Sequence, residues 1–132
     1  MRHRLLLPAV ALLVGATLAG CGDDQPAVCT SIDELGSSLK GLTSLELNGS
    51  GVAGLEDQVA LVVQDVKTVK DDASAEYDDQ VAAIEADLQK VKSDATEVEN
   101  APSSTTVAAL QTSRDALAAD VKSFTKDVRS TC

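Results

Sequence analysis

The chain has 132 residues, the length of one modest domain, and carries 21 acidic against 11 basic side chains, a formal charge of −10. That balance repels phosphate backbones. With one tyrosine, one phenylalanine and no tryptophan there is no stacking surface to compensate, which argues against nucleic acid as a partner. His3 is the only histidine, so an imidazole base or metal ligand has a single candidate, in the first residues of the chain.

Residues 1–20 read MRHRLLLPAVALLVGATLAG. Arg2 and Arg4 form a basic start, Leu5 to Leu18 is an apolar stretch of 14 residues, and Ala19 and Gly20 are small. This is the three-part layout of a secretory signal, and the stretch falls short of the about 20 apolar residues that a membrane span needs. Leu18-Ala19-Gly20-Cys21 after such a start resembles the lipobox of bacterial lipoproteins. The resemblance implies that the Cys21 thiol receives a diacylglyceryl group, that the chain is cut just before it, and that the protein is lipid-anchored to a bacterial membrane on its extracytoplasmic side. Each buried CH₂ contributes about 0.8 kcal/mol, and two acyl chains anchor stably where one is marginal. On this reading residues 1–20 are a signal peptide, 21–30 a lipidated polar tether and 31–132 a folded domain. His3 leaves with the signal, and the mature chain keeps 9 basic against 21 acidic side chains.

From residue 31 onward the chain has helical periodicity. Ser31 to Glu34 fits a capping box that opens a first helix, with Ile32, Leu35, Leu39, Leu42 and Leu45 on one face. Asn48 to Gly51, reading NGSG, ends it. A second stripe follows as Val52, Leu55, Val59, Val62, Val66 and Val69, and a third as Tyr77, Val81, Ile84, Leu88, Val91, Ala95 and Val98. Residues 71–79, DDASAEYDD, contain neither glycine nor proline, so these two stripes fit either one long rod or two helices. A break near Ser74 is favoured, because Ser74 suits an N-cap and places Glu76, Asp78 and Asp79 in the first turn, where the helix dipole favours acid. Pro102 and the Ser103–Thr106 run then lead into a fourth stripe of Val107, Leu110, Leu117, Val121, Phe124 and Val128. Four helices of similar length predict an all-α, up-down-up-down four-helix bundle with coiled-coil-like packing, whose first and last ends lie together.

With Cys21 committed to lipid, Cys29 before the first stripe and Cys132 at the last position are left to pair. An exported chain favours a disulfide, and a bundle of this topology brings those two positions together. Closing a loop of about 100 residues is worth about 4.7 kcal/mol on a chain-entropy model.

The chemistry on offer is sparse. Asp71, Asp72, Asp78 and Asp79 form the densest acidic cluster, but they lack the alternation and turn glycine of a calcium loop, so solvated acids at a hairpin explain them and no metal or cofactor is expected. Arg114 falls on the fourth stripe and is read as laying its stem over the seam with its head in water or against an acid. Tyr77 is read as a packing residue at a hairpin end, with a binding anchor as the other use. Ser103–Thr106 has hydroxyls and no base to activate them. Lys67, Lys70, Lys90 and Lys92, off the stripes, are the only basic groups on the two middle helices, so an acidic partner would meet them, with Tyr77 nearby.

These features predict no catalysis and a protein-interaction or structural module of the cell envelope, with an envelope protein as partner. The alternative is a carrier that holds an apolar or lipid ligand between its helices.

Overall fold

A computed structural model describes residues 25–47 and 52–132. The expected signal segment, Cys21 with the Leu-Ala-Gly before it, and residues 48–51 lie outside the described residues, as do the side chains of Val52 and Ala53. The described chain forms four helices, α1 (Ala27–Ser44), α2 (Val52–Asp72), α3 (Asp78–Asn100) and α4 (Ser104–Arg129), with a single 3₁₀ turn at Ala75–Tyr77 between α2 and α3. Each helix packs on its neighbours in chain order, and α1 meets α4 to close the bundle. The packing is closest between α1 and α2 and between α3 and α4, leaving the α2–α3 and α1–α4 seams looser.

The stripes read from the sequence are the core. Ile32, Leu35, Leu39 and Leu42 of α1 meet Leu55, Val59, Val62, Val66 and Val69 of α2, with Ile84, Leu88, Val91 and Val98 of α3 and Leu117, Val121 and Phe124 of α4 completing it. Burying each of these side chains contributes about 1.5–3 kcal/mol. Phe124 is the one aromatic ring in that core, and Tyr77 stands edge-on to it at 5.6 Å between ring centroids. Tyr77 is thus a packing residue at the α2–α3 hairpin end.

Three local expectations are corrected. Helix α1 begins at Ala27, not at Ser31, so the tether is shorter than 21–30 and Cys29 sits within the first helical turn. The apolar stripe extends one turn upstream through Val28, and burying it outweighs the capping box. Ser31, 3% exposed, lies inside the helix, with its hydroxyl 3.1 Å from the Ala27 carbonyl oxygen and in contact with the Asp72 carboxylate. The break near Ser74 is present, but the Ser74 hydroxyl caps no backbone amide; it donates instead to Glu76 at 3.1 Å. The working cap is at the next junction, where Ser103 accepts from the Thr106 amide at 3.1 Å and the Ser103 amide donates to the Thr106 hydroxyl at 3.0 Å.

The third correction concerns Arg114, which is 8% exposed and forms no ion pair among the described residues. Its Nη1 donates to the carbonyls of Leu42 at 2.8 Å and Leu45 at 3.1 Å, at the end of α1. The Leu42 carbonyl otherwise accepts only a long bond from the Leu45 amide, at 3.4 Å, and the negative end of the helix dipole attracts a cation there. Burial lowers the Arg114 pKa, opposed by the nearby Asp115 charge, and its Nε has no hydrogen-bond partner.

The disulfide joins Cys29 to Cys132, with Cα atoms 6.1 Å apart and a separation of 103 positions in sequence. Beside it on the α1–α4 seam, Arg129 pairs with Asp33 at 3.0 Å. All four helices and their closing bond lie within residues 27–132, so this stretch holds what the bundle needs to fold.

Two glycines of α1 differ in what surrounds them. A Cβ at Gly36 meets nothing within 4 Å, whereas one at Gly41 falls 2.4 Å from Nε2 of Gln58, which crosses from α2 to donate to the Ser38 carbonyl at 3.1 Å. Gly36→Ala is expected to stabilise the domain by about 1 kcal/mol. Gly41→Ala should gain far less, because it displaces a bond worth about 1 kcal/mol. Urea unfolding of both variants beside the parent checks this. Arg114→Met should cost about 1–3 kcal/mol in the same assay, since it removes the charged donor from the buried Leu42 and part-buried Leu45 carbonyls.

Candidate interaction groove

The α2–α3 seam, one of the two looser ones, carries two surface depressions. Helices α2 and α3 run antiparallel, and the facing positions between their stripes are small: Ala60 and Val63 on α2, Ala82, Ala86 and Ala95 on α3. Small side chains at a helix seam leave space that larger ones would fill. The result is an open groove in two joined parts of about 330 and 500 Å³, which share Val63. It runs from Glu56 to Lys70, about 21 Å at 1.5 Å per residue.

Charged side chains line the rims. Glu56 and Glu99 flank the first part together with Lys92, and Lys67, Lys70 and Glu85 flank the second. Lys70 and Glu85 pair across the seam at 3.0 Å, and that bond raises the Lys70 pKa. Three of the four lysines singled out in the sequence therefore share one groove. Lys90 does not join them: it is held on its own helix by the buried Asp94, at 3.3 and 3.4 Å. Tyr77 lies at the hairpin end, against Phe124. Glu56 and Glu99 went unnoticed in the sequence, because their common position depends on the register of two helices and no single stripe reveals it.

The four aspartates of the hairpin do not act as a set. Asp72 is engaged with Ser31, while Asp78 and Asp79 occupy the first turn of α3. Among the described residues no group of three or more acidic, cysteine or histidine side chains is arranged to hold a metal ion, and no helix is long and apolar enough to cross a membrane.

A second acidic contact lies between α3 and α4, where Asp87 meets Asp120. Burial first, then the hydrogen bond to Asp120 and its charge, hold the Asp87 carboxyl above its ordinary value. No family model, curated protein or solved structure matches the chain.

The Asp87 shift sets the sign of a pH effect. A carboxyl whose pKa is raised by folding stabilises the fold while protonated, and that contribution is lost as pH rises through the raised value. Asp87→Asn should therefore match the parent in acid and become the more stable of the two as the pH approaches neutrality. Urea midpoints at about pH 4 and about pH 7 test this; an advantage of the asparagine that is the same at both would contradict it.

Proposed function

We propose that this protein is a lipid-anchored, extracytoplasmic helical lipoprotein that serves as a protein-interaction or structural module of the cell envelope, without catalysis. The observation that carries the reading is the cysteine inventory. Cys29 and Cys132 bond to each other, a pairing suited to an oxidising compartment, which leaves Cys21 alone, directly after a signal-like start and Leu-Ala-Gly.

The geometry supports this reading in two ways. Helix α1 begins at Ala27, so the segment from Cys21 to the bundle spans at most about 20 Å when fully extended. The bundle end that carries Ala27 and Cys132 also carries the α2–α3 turn with Asp71, Glu76, Asp78 and Asp79. An anchored bundle would stand on this acidic end, which anionic lipid repels, with its helix sides turned outward. The α2–α3 groove then becomes the face for a partner. The carrier reading has less support, because the spaces found are open grooves beside a filled core.

The test is Cys21→Ala, followed by mass spectrometry of membrane and soluble fractions. The expected product is an uncut precursor without acyl chains. Normal cleavage after residue 20 in this variant would end the lipoprotein reading.

A further inference from the structure

The groove between α2 and α3 is complementary to itself. Four exposed side chains on its rims, Glu56, Lys67, Lys92 and Glu99, have no ion-pair partner among the described residues. On α2 the acid and the lysine are eleven residues apart, with their midpoint at residues 61–62; on α3 they are seven apart, with their midpoint at 95–96. Opposed positions on the two helices follow from the Lys70–Glu85 pair. By that register the two midpoints lie at about the same height, within about 3 Å along the bundle axis. Both fall in the depression floored by Val59, Ala60, Val63 and Ala95.

This pattern selects one kind of occupant. A second copy turned end for end about a two-fold axis through that depression sets α2 against α2 and α3 against α3, both antiparallel. Glu56 of each copy then faces Lys67 of the other, and Glu99 faces Lys92, while the small side chains at the centre permit close approach. A parallel copy would put Glu56 and Glu99 against like charges, which costs free energy. Elsewhere the strongly acidic surface opposes self-association, so this locally neutral strip is where a copy can approach.

We propose that the α2–α3 groove is the contact face of an antiparallel homodimer with its two-fold axis at Ala60 and Ala95. Two-fold contacts use the same patch on both partners, and the rim charges of this groove satisfy that requirement. The proposal deepens the interaction-module reading by naming the partner. It rests on that reading of the groove and is independent of the lipid anchor: the Cys21→Ala result can remove the anchor and leave the dimer, or the reverse.

The test is sedimentation equilibrium across the micromolar range on residues 21–132 carrying Cys21→Ser, with the Cys29–Cys132 bond formed. The parent is expected to dimerise. Lys67→Glu with Lys92→Glu, and separately Glu56→Lys with Glu99→Lys, should each weaken the dimer about tenfold or more, with unchanged helical circular dichroism. Mixing these two variants should restore a dimer about as tight as the parent's, since every facing pair is then opposite in charge again. A parent that remains monomeric overturns the proposal. So does a dimer indifferent to both reversals, or a mixture that fails to associate.

Discussion

The α1–α4 seam is the constraint on which the bundle depends. Helices adjacent in sequence are brought together by short connections, whereas α1 and α4 meet through the shared core and through attachments between the chain ends. Three attachments do this at separate heights: the Cys29–Cys132 bond and the Arg129–Asp33 pair near one end, and the Arg114 bonds to Leu42 and Leu45 near the other. The exposed ion pair contributes little, at most about 1 kcal/mol. The covalent link and the buried guanidinium carry the closure. A core with so little aromatic surface has correspondingly less burial to offer, and a link across a loop of this length offsets much of that by restricting the unfolded chain.

The opposite seam is held differently. Between α2 and α3 one surface pair, Lys70–Glu85, crosses the gap, and the facing positions are alanine and valine. With the α1–α4 side joined covalently, the other side stays shallow without opening the core, because Val59, Val66 and Leu88 beneath the groove remain buried. The groove is thus a product of uneven stitching. Its rim carries three acids and three lysines, although the chain as a whole is strongly acidic.

Much of this architecture was legible in the sequence because it depends on periodicity. Leu55 through Val69, Val81 through Val98 and Leu110 through Val128 are spaced as helix faces, and burial follows spacing. The two end cysteines became a disulfide for the reason the topology supplied. Legibility failed where a polar residue had two competing uses. Ser31 satisfies the pattern of a cap, yet burying Val28 one turn earlier is worth more, and its hydroxyl turns to Asp72 instead. Arg114 satisfies the pattern of a seam-covering arginine, but the carbonyls of Leu42 and Leu45 at the end of α1, distant in sequence, draw its head inward. The groove was legible only in part. Lys67, Lys70 and Lys92 stood out by their sign, Lys90 was grouped with them although Asp94 holds it elsewhere, and the two glutamates emerged only when the register of α2 on α3 was known.

The position of Cys29 within the first turn of α1 has a mechanical consequence. Tension applied to the segment before Ala27 enters the bundle almost at the disulfide and divides there between α1 and, through Cys132, the end of α4. Two helices share the pull in parallel, so α1 cannot be peeled away one turn at a time from that end. To come apart under force, the bundle must slide a pair of helices past the other pair and shear many buried contacts at once. Hydrophobic seams yield far less readily to shear than to peeling.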